Sequence, residues 1–312
     1  MKVVFMGTPD FAVNVLQGLI DNYDVIGVVT QPDKEVGRKQ ELVYSPIKKL
    51  ALEHGIKVLQ PAKIRVDYQD VIDLHPDIII TCAYGQIIPK EILDCPKYGC
   101  VNVHASLLPK YRGGAPIHRA IINGEKETGI TIMYMDVGMD SGDIIKQKSI
   151  AIGENDCVGD LHDALSTMGR DLLLETLPSI LDGTNERIKQ DDSKVTLASI
   201  IKREDEVIDF NDTTVNVHNK IRGLSPFPCS YAVLDGKIVK VYKAEIGDSK
   251  TSGTPGEIIK TYKDGIGIKT GDGEIIIKEL KVEGKKQMTA ADFLNGTDKT
   301  KLIGKVFTKE WY

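Results

Sequence analysis

Along the first two thirds of the chain, apolar positions follow two rhythms in turn. Short runs that are continuously apolar, or that alternate with polar residues, predict strands at 2–6, 25–30, 57–59, 77–81, 99–104 and 128–135. Between them apolar residues recur at helical spacing. Phe11, Val13, Val15, Leu16 and Leu19 form one such face, with Asp10 placed as its cap. Residues 45–54 and 115–123 form two more, and Val158, Leu161, Leu165, Met168, Leu172 and Leu173 mark a long one. Strand and helix in alternation predict an α/β domain with a Rossmann-like, mostly parallel sheet. The near-unbroken apolar run at 77–81 has the character of a central strand covered on both faces.

The rhythm is lost at residues 183–205, where Gly183, Asn185, Asp191, Asp192 and Ser193 precede the charged Lys202-Arg-Glu-Asp205. Such a composition suits a boundary. The expected division is therefore one domain over 1–188, a linker over 189–205, and a second domain over 206–312. The second part carries a helical stretch at 215–222, then short β runs at 231–234, 238–244, 256–262, 265–270 and 274–283. Asp235-Gly236, Asp264-Gly265 and Asp272-Gly273 read as hairpin turns. Several short strands over about 100 residues predict a small, barrel-like β domain. Earlier, the 12 residues from Gln31 to Leu42, marked by Pro32 and Gly37, make a loop longer than a strand-to-helix connection needs.

Charge changes this picture only slightly. The net charge is −5. Residues 206–312 hold 17 Lys/Arg against 15 Asp/Glu, whereas 1–205 hold 23 against 30. The sign differs between the two parts, but the C-terminal excess is too small for a broad basic face. In the 31–42 loop, Lys34, Arg38 and Lys39 are balanced by Asp33, Glu35 and Glu41. The five cysteines form no CxxC pair, and the start of the chain lacks the pattern of a secretory leader. A reducing, cytoplasmic setting without disulfides or a metal site is expected. No apolar run approaches the roughly 20 residues of a membrane span.

The chemistry gathers between Val101 and Ile145. On a strand at 99–104, Asn102 and His104 lie two apart and point to one face, placing an amide donor beside a titratable base. Pro109 and the Gly113-Gly114 pair break that strand, and the strand at 128–135 returns a Gly-rich segment holding Asp136, Asp140 and Asp143. A carboxylate returned to a histidine can orient its ring, and an amide can donate to a developing oxyanion. That is chemistry for attack on an acyl carbon. No Ser or Cys sits in a nucleophile elbow, so the attacking atom should belong to a substrate. The local pattern does not choose among the three aspartates. A dinucleotide site is disfavoured because neither GxGxxG nor a P-loop is present.

Asn102-Val-His104, Ser106-Leu-Leu-Pro109 and Asp140 together resemble the folate-dependent formyltransferases. Tyr111-Arg-Gly-Gly-Ala-Pro-Ile117 and Asp136-Val-Gly-Met-Asp-Ser-Gly-Asp143 narrow the resemblance to the formyltransferases that act on methionyl-tRNA. Met6-Gly-Thr-Pro-Asp-Phe11, Tyr84-Gly-Gln-Ile-Ile-Pro89 and Arg222-Gly-Leu-Ser-Pro-Phe-Pro228 extend it over nearly the whole chain. The resemblance implies a formyltransferase fold with an OB-like C-terminal barrel, and Asn102, His104 and Asp140 as catalytic residues. It implies 10-formyltetrahydrofolate as formyl donor, lined by Gln86, Ile87, Ile88, Ser106, Leu107, Leu108, Pro109 and Asp136. The acceptor would be initiator methionyl-tRNA, its acceptor end engaged by the 31–42 loop, where Arg38 after Gly37 matches the basic motif. The weak charge asymmetry, apart from the resemblance, suggests a few local contacts on a monomer: Lys39 beside Arg38 near the acceptor end, and Lys237, Lys240 and Lys243 elsewhere. A small amine such as an amino sugar nucleotide, or water in a formyltetrahydrofolate hydrolase, would use the same three residues.

Overall fold

The computed structural model describes residues 1–36 and 41–309. The strands of the N-terminal part are β1 (Lys2–Gly7), β2 (Asp24–Val29), the short β3 (Lys34–Val36) and β4 (Glu41–Val43), β5 (Val58–Leu59), β6 (Ile78–Cys82), β7 (Cys100–His104), β8 (Glu127–Tyr134) and β9 (Ile144–Ala151). Its helices are α1 (Val13–Asn22), α2 (Pro46–Glu53), α3 (Gln69–Ile72), α4 (Lys90–Leu93), α5 (Pro116–Ile122) and α6 (Val158–Asp182). Seven strands make one sheet in the order β5-β2-β1-β6-β7-β8-β9. The first five run parallel, and β8 and β9 are added antiparallel. Val3, Val4, Phe5 and Met6 of β1 and Ile78, Ile79 and Ile80 of β6 are fully buried on both faces, which is why these strands read as unbroken apolar runs.

Two compact units divide the chain. The first comprises Met1–Pro116, Glu127–Ala151 and His162–Ser199; the second comprises Ile117–Lys126, Ile152–Leu161 and Ile200–Tyr312. The polar stretch expected as a linker is therefore, up to Ser199, part of the first unit. Its lack of periodicity has a physical cause: it runs as an extended strap bonded through backbone and polar side chains, for which no repeat of apolar residues is needed. Within the second unit, the buried Arg222 donates to the carbonyls of Gly153 and Asp156, and Arg119 pairs with Asp205. These contacts bind the early segments to the late ones.

Other expectations also shift. Asp10 opens a short 3-10 turn, Asp10–Ala12, and its side chain makes no capping bond because Pro9 occupies the cap position. Ser45 does cap α2, accepting from the Lys48 amide. The loop at 31–42 contains the antiparallel pair β3–β4. Arg38 and Lys39 lie outside the described residues. Strand β9 carries Lys146, Gln147, Lys148 and Ser149 as exposed residues beside β8 at the sheet's edge, so its weak apolar signal follows from its position.

The second unit is built on α7 (Thr214–Leu224), started by the Thr213 hydroxyl accepting from the Asn216 amide. It is followed by β10 (Ser230–Leu234), β11 (Lys237–Ile246), β12 (Ile258–Thr261), β13 (Ile266–Lys269), β14 (Glu274–Val282), β15 (Met288–Thr289), α8 (Ala290–Asn295) and α9 (Lys299–Leu302). The sheet order is β10-β11-β14-β13-β12, with β15 on β14. Asp235 and Gly236 both take positive φ (50° and 71°), as a two-residue hairpin turn requires. Val239, Val241, Ile258, Ile266, Ile268, Ile275 and Ile277 fill its core. Instead of a barrel closed strand to strand, this is an antiparallel sheet whose two edges meet a common segment. Thr308 exchanges backbone bonds with Val233 of β10, while Gly304, Lys305 and Phe307 bond to Ile258 and Gly256 at the β12 end.

Candidate active site

The site forms where β7 ends. Parallel pairing sets Asn102 beside Thr81 of β6, and antiparallel pairing sets His104 beside Thr131 of β8. Asn102 and His104 share one face of β7, as their spacing requires. The loop after β8 then brings Asp140 to both. The His104 Nδ1 lies 3.7 Å from Asp140 Oδ2, and the Asn102 Nδ2 lies 3.5 Å from Asp140 Oδ1. The same Oδ2 accepts the Gly113 backbone N–H at 2.8 Å. Among the three aspartates, geometry selects Asp140. Asp143 turns to Arg187 (3.1 Å), and Asp136 accepts from the Gly138 N–H and the Ser141 hydroxyl, so it holds its own loop together.

The histidine is oriented differently from the simplest reading. Its Nε2 lies 3.0 Å from the Tyr111 carbonyl, which can only accept, so the proton sits on Nε2 and Nδ1 is the nitrogen facing Asp140. Tyr111 reaches this position with φ of 61°, in the left-handed region. His104 is buried, at 6 % exposure. The amide of Asn102 is likewise turned by a neighbour: the buried Thr81 hydroxyl donates to its Oδ1 at 2.8 Å, leaving Nδ2 as the face toward Asp140. Neither Thr81 nor the Tyr111 carbonyl was evident from sequence, since a threonine in an apolar strand and a main-chain oxygen carry no motif.

The remaining predicted residues fall into two groups. Ile87 is 61 % exposed, and Val137 and Met139 on the loop bearing Asp140 are 73 % and 58 % exposed, so apolar side chains are displayed on the loops that leave β6 and β8. Ile88, by contrast, is packed in the core with Val4, Met6 and Ile79. Leu108 packs on Met133 and Ile144, and the fully buried Ser106 spends its hydroxyl on the Lys110 carbonyl, so both shape the 105–109 turn from within. Leu107 is half-buried, and a cis peptide joins Leu108 to Pro109. Gln86 accepts the Ile64 N–H and donates to Gln31 Oε1. Its side chain thus pins the 84–88 turn, on which Ile87 is the exposed apolar side chain.

Residues 1–177 match the family described as formyl transferase, and residues 200–298 match its C-terminal domain. Over 307 residues, 97 % of this chain and 98 % of the relative, it is 52 % identical to a methionyl-tRNA formyltransferase of Staphylococcus aureus strain MW2, and 51 % identical to that of strain Newman over the same span. The chain belongs to the methionyl-tRNA formyltransferases. Its fold is also that of more distant proteins. An N-formyltransferase from Helicobacter canadensis in complex with folinic acid and dTDP-3-aminofucose has a TM-score of 0.68 at 24 % identity, over 89 % of this chain and 98 % of that one. HypX from Aquifex aeolicus in complex with tetrahydrofolic acid gives 0.64 at 18 %, over 94 % of this chain and 47 % of that one.

All five cysteines are free thiols. Burial pushes the thiols of Cys82 and Cys100, on the strands flanking the site, well above the ordinary range, so neither is a ready nucleophile. Of the three lysines expected to meet RNA, Lys237 and Lys243 are exposed, whereas the half-buried Lys240 donates to the Pro228 carbonyl at 3.0 Å. No helix among the described residues is long and apolar enough to cross a membrane.

Proposed function

We propose that this protein transfers the formyl group of 10-formyltetrahydrofolate to the α-amino group of methionine esterified to initiator tRNA, giving N-formylmethionyl-tRNA in the cytoplasm. The observation that carries the reading is the meeting of Asn102, His104 and Asp140 at one strand end, in a chain half identical to enzymes of that name over almost its full length. The residues fit a folate: Ile87 on the turn after β6, and Val137 and Met139 on the loop that bears Asp140, are exposed apolar side chains on the loops leaving β6 and β8. When bound, the folate supplies an activated formyl carbon.

The chain's own residues do the rest. The Asn102 Nδ2 donates to the oxygen on which negative charge grows as the amine attacks, a contribution on the order of 3 kcal/mol for one such donor. His104 takes the proton shed by the amine at Nδ1, since Nε2 is already occupied with the Tyr111 carbonyl, and can return it to the donor's nitrogen as the carbon–nitrogen bond breaks and tetrahydrofolate leaves. Asp140 faces the charge that forms there. A unit pair at about 4 Å is worth on the order of 4 kcal/mol at an effective dielectric near 20, so the carboxylate contributes without accepting the proton itself. The tRNA would be met by Arg38 and Lys39 locally and by Lys237, Lys243 and, through its stem, Lys240. Incubation with 10-formyltetrahydrofolate and charged initiator tRNA, scored as formyl-methionine, tests the reading. Formate release without acceptor, or transfer to an amino sugar nucleotide but not to tRNA, would overturn it.

A further inference from the structure

We infer that Gln190, on the polar strap within the first unit's last segment, His162–Ser199, is a positioning residue that sets the catalytic Asp140. The inference rests on the reading of Asn102, His104 and Asp140 as the reacting set. Its evidence is a side chain whose hydrogen bonds are all assigned. The Gln190 Nε2 donates to the Asp140 and Gly142 carbonyls, each at 2.8 Å, and its Oε1 accepts from Arg112 Nε at 3.0 Å. Arg112 has donors only, and carbonyls only accept, so the amide has one permitted orientation and both of its hydrogens are used.

The strap is held at both ends, so Gln190 is delivered to a fixed place. Ile188 exchanges backbone bonds with Ile144 at 2.8 and 2.9 Å. Farther on, Arg112 N donates to Thr196 O at 2.9 Å, Ala198 N to Arg112 O at 2.7 Å, and Ala115 N to Ala198 O at 3.1 Å. The Thr196 hydroxyl accepts the Tyr111 N–H at 2.9 Å. The strap therefore also steadies the segment that presents the Tyr111 carbonyl to His104 and the Gly113 N–H to Asp140. At Gly113 the fit is close: a Cβ would stand 2.8 Å from the Ala198 carbonyl.

Asp140 needs such support. Its φ is 50°, a left-handed conformation that costs an L-residue roughly 1–2 kcal/mol, although aspartate tolerates it better than most. Gly142 is pressed against the Tyr134 carbonyl, where a Cβ would lie at 2.0 Å. By gripping the carbonyls on either side of Ser141, Gln190 fixes the turn's rotation and hence the direction of the Asp140 carboxylate. Without those two bonds the turn can swing the carboxylate away from the Gly113 N–H and His104. Gln190 makes no bond to Asn102, to the His104 ring or to the Asp140 carboxylate, and acts on the chemistry chiefly through the turn that carries Asp140.

The test compares Gln190→Met, close in shape but without donors, with Gln190→Glu, which keeps a partner for Arg112 but sets a carboxylate against two carbonyl oxygens. Both should lower kcat for methionyl-tRNA formylation by roughly 10- to 100-fold, the scale of a small misplacement of a reacting group, with KM for folate and tRNA near parental. Unfolding by urea should stay cooperative. In an Asp140→Ala background, Gln190→Met should cost almost nothing further, because its effect is already lost. A fully multiplicative loss in that double variant, or single variants with parental kcat, would overturn the inference. Crystal structures of the parent and of Gln190→Met give a reading independent of activity: the Asp140 carboxylate should leave the Gly113 N–H, and an unchanged contact would count against the role. A parent enzyme that formylates nothing would defeat the functional reading, leaving this structural comparison to decide the role of Gln190.

Discussion

Replacing Thr81 by valine asks how much of the catalytic role proposed for Asn102 depends on its being turned the right way. The substitution preserves shape at a position 2 % exposed and removes the hydroxyl that donates to Asn102 Oδ1 at 2.8 Å. A neutral hydrogen bond of this kind is worth about 1 kcal/mol net, so the amide should lose about 5-fold in its preference for the productive orientation. The loss is bounded, because the reversed amide would point Oδ1 at the Asp140 carboxylate, where Nδ2 now lies at 3.5 Å. Deleting the donor itself, in Asn102→Ala, removes on the order of 3 kcal/mol and should slow turnover by more than 100-fold. The assay is kcat at saturating 10-formyltetrahydrofolate and methionyl-tRNA, with formyl-methionine as product. Thr81→Ser, which keeps the hydroxyl, should restore most of the rate. Parental kcat in Thr81→Val would refute the reasoning, as would a loss equal to that of Asn102→Ala.

Asp140→Ala should abolish most turnover while folate affinity, read by equilibrium binding, stays within a few-fold; Asp143→Ala, which only frees Arg187, should leave kcat near parental, and the reverse ranking would transfer the role to Asp143. Burial holds the His218 imidazole below its ordinary 6.5, so the unfolded chain binds more protons there below that pH and stability falls as pH drops from 6.5; in urea titrations at several pH values, His218→Gln should flatten that decline relative to the parent. Binding of tRNA should weaken only modestly with salt, since the log–log slope is roughly −0.7 to −0.9 per phosphate neutralised and residues 206–312 carry only 17 Lys/Arg against 15 Asp/Glu; a steep slope, or no loss from combined Lys237→Ala and Lys243→Ala, would move recognition elsewhere.

Sequence alone determined the parts of this protein whose physics is local. The periodicity of β1, β6 and β7 was legible because each is packed on both faces, and the two-residue spacing of Asn102 and His104 put them on one face before any partner was known. The turns at Asp235-Gly236 were likewise written in residues that accept positive φ. What the tertiary structure decided was every choice that depends on where the chain returns. Asp136, Asp140 and Asp143 are alike in sequence, and only the path of the loop after β8 faces one of them toward His104. The proton on His104 was assigned by a main-chain carbonyl at Tyr111, which has no signature in sequence. The stretch after 188 looked like a linker because polar residues without period bury no apolar face. Its bonds go instead to the carbonyls and amides of distant segments, through partners such as Arg112 that lie about 80 residues earlier in the chain.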